Sequence, residues 1–128
     1  FNHTLADLQT VSRYKLPIKM FIMNDGKMSM VRAWEKLFYN ENYIATDCSS
    51  NPDYTMLAKS YGIASIDLNN QSELKDVVDY VINYDKAILC NVRVESDLCL
   101  PLVAPSKALD DMMLLNTKLK SFSDIAPS

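Results

Sequence analysis

The chain has 128 residues, of which 48% are hydrophobic and 23% are charged, and its formal net charge is -3. This length and composition suit one ordinary globular domain that buries its core without disulfides or metal ions. The slightly negative charge gives no electrostatic basis for binding nucleic acid or an anionic membrane, because both recruit basic patches. Apolar runs such as residues 18–23 are far shorter than the roughly 20 residues that cross a bilayer. We therefore expect no nucleic-acid partner and no membrane span.

The few cysteine, histidine and glycine residues exclude several kinds of site. Cys48, Cys90 and Cys99 form no C-x-x-C pair, and His3 is the only histidine. A zinc site built from four local ligands is therefore unsupported, and reduced thiols in a reducing compartment are expected. The chain has only two glycines, so it contains neither a G-x-G-x-x-G fingerprint nor a P-loop. A Ser-His-Asp hydrolase would have to use His3, and no nucleophile-elbow sequence is present.

The first third of the chain predicts a helix, a strand and a second helix. A capping pattern at residues 4–7, with Thr4 as the cap, and an apolar stripe predict a helix that runs to about Lys15. Pro17 ends it, and the apolar run at residues 18–23 predicts an interior strand, buried on both faces of a parallel sheet. A stripe at i, i+4, i+7 and i+8 from Met30 predicts the second helix.

The middle of the chain repeats the alternation of helix and strand. Asn51-Pro52-Asp53 predicts a third helix capped by Asn51, and Gly62 predicts its end. Residues 63–68 predict a strand, Ser72 opens a fourth helix, and residues 87–94 predict the last strand. This alternation implies right-handed βαβ units. We expect an α/β fold in which a parallel sheet containing all three strands is flanked by helices.

The C-terminal part differs in character from the rest. Residues 98–105 are apolar with two prolines, and we expect them to wrap over the domain. Ser106 is expected to cap a short helix through Leu109 and the methionines 112 and 113. The small and polar residues near the end predict a frayed terminus. We therefore expect a domain at residues 1–113 and a flexible tail at residues 114–128.

The segment Asn24-Asp25-Gly26-Lys27 is the first candidate site. It follows a predicted buried strand, and ligands of open α/β sheets bind beyond the carboxyl ends of such strands. The side chains of Asn24 and Asp25 and the carbonyl groups of the loop are hard oxygen ligands that suit Mg²⁺. The alternative, which the residues alone favour, is a plain turn between strand and helix.

Three apolar residues at the start of the second helix form a second candidate site. Met30, Val31 and Trp34 lie on a stripe that, from the residues alone, predicts a core. His3 is predicted to be an ordinary polar terminal residue, and Asp110-Asp111 a solvated helix face. Neither of them is assigned a role.

A series of motifs runs along about residues 1–113. The main segments are Phe1-Asn2-x-Thr4-Leu5-x-x-Leu8, Leu16-Pro17-Ile18-Lys19, Met23-Asn24-Asp25, Met30-Val31-x-x-Trp34-x-x-Leu37-Phe38-Tyr39, Asn51-Pro52-Asp53-Tyr54 and Leu100-Pro101-Leu102-Val103. In this order, and without gaps in the first part, these segments resemble the large catalytic subunit of acetohydroxyacid (acetolactate) synthase.

The resemblance implies the end of a thiamine-diphosphate motif. In that family the motif begins with Gly-Asp-(Gly/Ala)-Ser just before the Phe-Asn-x-Thr segment and closes with an Asn-Asn pair, whose second Asn binds Mg²⁺. That second position is Asp25 here, and the next metal contact, a backbone carbonyl, is at Lys27. A shift of register that makes Asn24 the ligand is the alternative. We expect an incomplete C-terminal thiamine-diphosphate-binding domain that is inactive alone.

The resemblance also implies roles for the second helix. Ser29 replaces the usual Gly near the diphosphate, and Met30 and Val31 would support or line the cofactor. Trp34 would shape the pocket for the second 2-keto acid. No catalytic residue is implied in this chain, because the family's activating Glu belongs to another domain of a neighbouring subunit.

The implied reaction decarboxylates pyruvate and condenses the remainder with a second pyruvate or with 2-ketobutyrate, for the synthesis of branched-chain amino acids. The implied cofactors are thiamine diphosphate and Mg²⁺, with FAD in the parent enzyme only. The implied partners are the rest of the catalytic subunit, in a homodimer or tetramer, and a regulatory subunit. The compartment would be the cytoplasm in a bacterium and a plastid or mitochondrion in a eukaryote.

Two alternative functions stay open at this point. The chain could belong to another thiamine-diphosphate-dependent 2-keto acid decarboxylase or oxidase. It could also be a non-catalytic scaffold domain that kept the fold, because Asp25, Ser29 and the scarcity of glycine depart from the family pattern.

Overall fold

The structure is a computed structural model that describes residues 1–95 and 102–113. The elements, in chain order, are α1 (Asp7–Tyr14), β1 (Lys19–Asn24), α2 (Ser29–Phe38), α3 (Tyr54–Ser60), β2 (Ala64–Leu68), α4 (Leu74–Asn83) and β3 (Ile88–Arg93). Short 3-10 turns at Asn2–Thr4, Gln71–Glu73 and Leu109–Asp111 complete the list. The predicted order of strands and helices is confirmed.

The three strands form one parallel sheet in the order β1-β3-β2. β3 pairs with β1 from Lys19 opposite Ile88, and with β2 from Ala64 opposite Ile88. Parallel pairing of all three strands is therefore confirmed. A parallel sheet brings the carboxyl ends of its strands to the same edge, where Asn24 and Arg93 lie in register.

The interior position predicted for residues 18–23 is wrong within the part of the chain that the structure describes. β1 lies at one edge of the three described strands. Two of its apolar side chains, Phe21 and Met23, are 40% and 65% exposed. Among the described residues, the apolar cluster on this face joins α4 to β2 and β3 and includes no residue of β1.

Two apolar clusters cover opposite faces of the sheet. One joins α1 and α3 to the sheet through Leu8, Val11, Tyr54, Ala58, Ile63 and Leu89, with Met20 and Ile22 of β1 packed against it. The other joins α4 to the sheet through Leu68, Val81, Ile88, Cys90 and Val92. Alternate side chains of a strand point to opposite faces, which is why neighbours in β3 belong to different clusters.

Several helix starts differ from their predictions by a few residues. Thr4 does not cap α1, because its hydroxyl donates to the carbonyl of Phe1 instead. The cap of α3 is Asp53 rather than Asn51, and its carboxylate accepts from the amides of Thr55 and Met56. The stop at Gly62 is confirmed, with a positive φ of 71° that suits glycine.

The described residues divide into two compact units. The first comprises Phe1–Asp25 and Asn51–Glu95 and contains the sheet. The second comprises Gly26–Ser50 and a C-terminal part in which residues 102–113 are described. In that part Leu102 pairs with Met113 as an antiparallel bridge.

The predictions for the C-terminal part can be compared with the structure only at residues 102–113. Ser106 does not cap the turn Leu109–Asp111, because the residue at the cap is Ala108. The predicted wrapping segment is described only from residue 102 onward, and the predicted tail at residues 114–128 lies outside the described residues. Within the described ranges, no helix combines the length and apolar character needed to cross a bilayer.

Candidate functional site

Asn24, the last residue of β1, is attached both to β3 and to Val94, the residue that follows β3. Its backbone carbonyl accepts from the amide of Val94 over 3.1 Å. Its side-chain Nδ2 donates to Oδ1 of Asn91 over 3.1 Å. Both the backbone and the side chain of Asn24 are thereby fixed where the candidate loop leaves the sheet.

A second hydrogen bond extends this contact across the sheet to β2. Nδ2 of Asn91 donates to Oδ1 of Asp67 over 2.5 Å. Asn91 is only 2% exposed, and the strand register places it directly beside Asp67. We call the series Asn24, Asn91 and Asp67 the polar ladder. It links the ends of all three strands on the face covered by α1 and α3.

Further donors hold the Asp67 end of the polar ladder. Nδ2 of Asn69 donates to Oδ2 of Asp67 over 3.0 Å. Nε of Arg93 lies 3.5 Å from Oδ1 of Asp67 in an ion pair whose side chains are about half and one-third exposed. A partly exposed pair of this kind contributes little stability by itself. Its geometric effect is to fix the position of the carboxylate.

Neither Asn91 nor Asp67 was predicted from the sequence to be a site residue. A signal was present, because both are polar residues inside mostly apolar segments that were predicted to be strands of a helix-covered sheet. A buried amide must find hydrogen-bond partners, since leaving it without them costs free energy. The partners lie on other strands, 67 and 24 residues away, so the pairing itself could not be read from local patterns.

The three predicted metal ligands occupy different environments. Asn24 is directed to Asn91 through its NH2 group, and Asp25, the next residue, is half-buried. The side chain of Lys27 is exposed, which leaves its predicted contribution to the backbone carbonyl. Among the described residues, no group of three or more His, Cys, Asp or Glu side chains could hold a metal ion.

In the second unit, the segment before α2 pairs with a returning segment of chain. The amide of Met28 donates to the carbonyl of Thr46 and the amide of Cys48 donates to that of Gly26, each over 2.9 Å. Lys27 and Asp47 lie opposite each other between these bonds. Hydrogen bonds from Ser49 lower the pKa of the Asp47 carboxyl, with smaller help from the charges of Arg32 and Lys27.

A buried carboxylate ties the same returning segment to α2. Glu35 is 9% exposed, and its Oε1 and Oε2 accept from the amide of Ile44 and the hydroxyl of Thr46, each over 2.8 Å. The guanidinium of Arg32 lies 3.7 Å from the centre of the Tyr43 ring. The sequence reasoning also missed Glu35, which an apolar-stripe prediction treats as a surface residue.

The first turns of α2 carry the remaining predicted site residues. Met30 and Val31 are 61% and 47% exposed, so the core position that the residues alone predicted for them is wrong. Trp34 is half-buried and packs edge-on against Phe38, with ring centres 5.8 Å apart. The helix begins at Ser29 with no side-chain cap and no acidic residue in its first turn. Such a helix start is electrostatically suited to an anion.

Curated relatives resemble nearly the whole chain. An acetolactate synthase large subunit from Cyanidium caldarium is 33% identical over 97% of this chain, which corresponds to 22% of the relative. Acetolactate synthase isozyme 2 large subunit from Escherichia coli is 32% identical over 88% of this chain and 21% of its own length. The mitochondrial catalytic subunit from Saccharomyces cerevisiae is 31% identical over 88% of this chain and 16% of its own length. The chain thus spans about a fifth of these relatives.

A solved structure and a family model agree with this similarity. The thiamine diphosphate-dependent 4-hydroxybenzoylformate decarboxylase of Rhodococcus jostii RHA1 superposes with a TM-score of 0.68, over 77% of this chain and 18% of that one. At 21% identity, this likeness supports the fold alone. Residues 1–92 match the family model described as "Thiamine pyrophosphate enzyme, C-terminal TPP binding domain". The chain therefore belongs to the family of C-terminal thiamine-pyrophosphate-binding domains of thiamine pyrophosphate enzymes.

Proposed function

We propose that this chain is the C-terminal part of an acetolactate synthase catalytic subunit. In this proposal the intact enzyme decarboxylates pyruvate and condenses the remainder with a second 2-keto acid. The observation that carries the proposal is the similarity to acetolactate synthases of bacterial, algal and fungal origin over 88% to 97% of the chain. Residues 1–113 would form the domain part, and residues 114–128 a tail.

The residues at the end of β1 fit a Mg²⁺ ion as part of its shell. Mg²⁺ in phosphate sites is bound through one or two carboxylates together with the phosphates and water, and it does not require an all-protein cage. Asp25 supplies a carboxylate and Lys27 a backbone carbonyl, both hard oxygen donors. Asn24 is the alternative ligand, but its hydrogen bond to Asn91 supports a role as the anchor of the loop. We therefore assign the metal to Asp25 and Lys27.

The start of α2 fits the diphosphate group of the cofactor. Ser29, Met30 and Val31 form the first turn, which contains no acidic residue to offset the positive end of the helix dipole. The exposed side chains of Met30 and Val31 offer apolar surface to a ring of the cofactor. When bound, thiamine diphosphate supplies the electron sink for decarboxylation.

The remaining tasks of this chain are to orient the substrate and to exclude water. Trp34 presents a half-buried indole ring, fixed by its edge contact with Phe38, and we propose that it shapes the pocket for the second 2-keto acid. A rigid aromatic wall of this kind discriminates between acceptors that differ by one methylene group. The acceptors would be pyruvate and 2-ketobutyrate, in the synthesis of branched-chain amino acids.

The intact enzyme would need partners and cofactors beyond this chain. We propose an activating group from elsewhere in the catalytic subunit or its neighbour, assembly into a homodimer or tetramer, the cofactor FAD and a regulatory subunit. No nucleic-acid or membrane partner is proposed. The reaction would take place in the cytoplasm of a bacterium or in an organelle of a eukaryote, as the relatives from Escherichia coli and from yeast mitochondria suggest.

A second candidate function is a thiamine-diphosphate-dependent 2-keto acid decarboxylase without the condensation step. The observation that favours it is the fold shared with the 4-hydroxybenzoylformate decarboxylase. A non-catalytic scaffold domain is a third hypothesis, because Asp25 and Ser29 stand where the family has Asn and Gly.

The full-length product of the gene provides the test. We expect it to form acetolactate from pyruvate only when thiamine diphosphate and Mg²⁺ are both added. Asp25→Ala should abolish the Mg²⁺-dependent formation of acetolactate, whereas Asp76→Ala, which removes an exposed carboxylate on α4, should leave activity unchanged. Release of CO₂ without acetolactate would favour the decarboxylase. Failure to bind the cofactor at all would favour the scaffold.

A further inference from the structure

Asn91 is an unusual residue for the centre of a parallel sheet. Its neighbours in β3, Leu89, Cys90 and Val92, are apolar and buried, as is typical of a central parallel strand. Placing an amide there costs desolvation that an apolar side chain would avoid. The cost is offset only because both ends of the amide are hydrogen-bonded.

The chemistry of Asp67 fixes the direction of every bond in the polar ladder. A carboxylate only accepts hydrogen bonds, so Asn91 must present its NH2 group to Asp67. The carbonyl oxygen of Asn91 then faces Asn24, and Asn24 must present its NH2 group in turn. The oxygen of the Asn24 amide is therefore the end that lies away from Asn91.

The ladder ends next to the loop that the proposed function assigns to the metal. Asn24 is held by the Asn91 side chain and by the amide of Val94, and Asp25 follows it directly in the chain. Two attachments on one residue fix its backbone as well as its side chain. Those attachments constrain the direction in which Asp25 leaves the sheet.

We infer that Asn91, oriented by Asp67, is a positioning residue that holds Asn24 and thereby aims the carboxylate of Asp25 at the metal ion of the cofactor. The inference rests on the proposed function and deepens it. In this role Asn91 contacts neither the metal ion nor the substrate. The loss of a residue that orients a metal ligand without binding the metal itself typically weakens metal affinity by about 10- to 100-fold.

The experiment measures Mn²⁺ affinity in the full-length protein with thiamine diphosphate present, from the free Mn²⁺ signal in electron paramagnetic resonance. The stability of each variant is measured by thermal unfolding. Asn91→Asp places two carboxylates in contact and should raise the Kd for Mn²⁺ by about 10- to 100-fold. Asn91→Leu removes both hydrogen bonds and should raise it by a similar factor.

A double variant tests the direction of the ladder. In Asn91→Asp with Asp67→Asn, the new carboxylate accepts from Asn24 and from the new amide at position 67, so the ladder is complete again. The single variants Asn91→Asp and Asp67→Asn are measured alongside it, and their changes in binding free energy are added to give an expected Kd. The Kd of the double variant should lie at least about tenfold below that expected value. A residue that only filled space would give no such rescue.

The matched control is Cys90→Ala, next to Asn91 in β3 but on the opposite face of the sheet. It should lower the unfolding temperature and leave the Kd for Mn²⁺ unchanged. If Cys90→Ala weakens Mn²⁺ binding as much as Asn91→Leu, or if the double variant shows no rescue, the positioning role is wrong. If the Asn91 variants bind Mn²⁺ normally while Asp25→Ala does not, the inference fails and the proposed function stands. If Asp25→Ala binds normally as well, both fail.

Discussion

The hydroxyl of Thr46 donates to Oε2 of Glu35 over 2.8 Å, and both residues are buried. The other carboxylate oxygen of Glu35 accepts from the amide of Ile44. One side chain of α2 thus fixes two points of a segment that contains Ala45 at a positive φ of 56°. Because that segment pairs with the residues just before α2, Glu35 indirectly fixes the start of the helix.

We predict that Glu35→Ala releases this segment. The change leaves the half-buried amide of Ile44 and the buried hydroxyl of Thr46 without their charged acceptor, a loss that costs about 2 kcal/mol. Hydrogen exchange should show loss of protection at the amides of Ile44 and Met28. Lys36→Ala, an exposed neighbour on α2, is the control and should change neither. Unchanged exchange at Ile44 in the Glu35 variant would contradict the prediction.

Trp34 is predicted to set the acceptor preference of the full-length enzyme. Trp34→Leu removes aromatic surface from the proposed acceptor pocket, and the preference for 2-ketobutyrate over pyruvate should fall by on the order of 1 kcal/mol, the scale of a methylene contact. Competition between the two acceptors, read as the product ratio, measures this. Phe38→Leu serves as the control for the edge contact, and it should lower stability more than preference. An unchanged product ratio in Trp34→Leu would remove Trp34 from the site.

The 128-residue chain alone is predicted not to bind thiamine diphosphate with Mg²⁺ usefully. Its described residues offer Asp25, the carbonyl of Lys27 and Asn24 but no further cluster of acidic ligands. Mg²⁺ affinity depends on one or two carboxylates plus the phosphates that it bridges, and the cofactor needs a closed, desolvated pocket. Calorimetry with both ligands, together with a pyruvate-consumption assay, measures this. Micromolar binding or measurable turnover would refute the prediction.

Cys90 is predicted to make stability depend on pH above neutrality. Burial, with a smaller contribution from the charge of Asp67, raises the pKa of the Cys90 thiol above its ordinary value of 9.0. The folded state therefore keeps this proton more tightly than the unfolded state. The contribution to stability is complete below pH 9.0 and is lost as the pH rises from there through the raised pKa.

Denaturant unfolding of the wild type and Cys90→Ala at pH 7 and near pH 10 separates this effect from packing. The variant should lose packing free energy at both pH values but lack the alkaline decline that the thiol causes. Alkylation followed by peptide mapping gives an independent readout, because Cys90 should react only after unfolding while the half-buried Cys48 reacts in the native protein. If the free energy of unfolding declined equally in both proteins between these pH values, or if Cys90 were alkylated in the native protein, the thiol would not be protected by burial.

The order of the elements, the parallel sheet and the family of the chain could all be predicted from local patterns in the sequence. Those features depend on local periodicity, on stop signals such as Gly62 and on motifs that are continuous along the chain. The predicted positions were wrong by a few residues at helix ends, such as the cap of α3, which is Asp53. Several polar residues compete there for the same unpaired amides.

The pairing of the buried polar residues, by contrast, depends on the three-dimensional fold. Asn91 meets Asn24 and Asp67 because the strand order β1-β3-β2 places β3 between strands that are distant in sequence. Glu35 meets Thr46 because the chain turns back after α2 through residues with positive φ. A local pattern carries no information on such pairings, since the free energy that selects them comes from satisfying buried hydrogen bonds between separate elements.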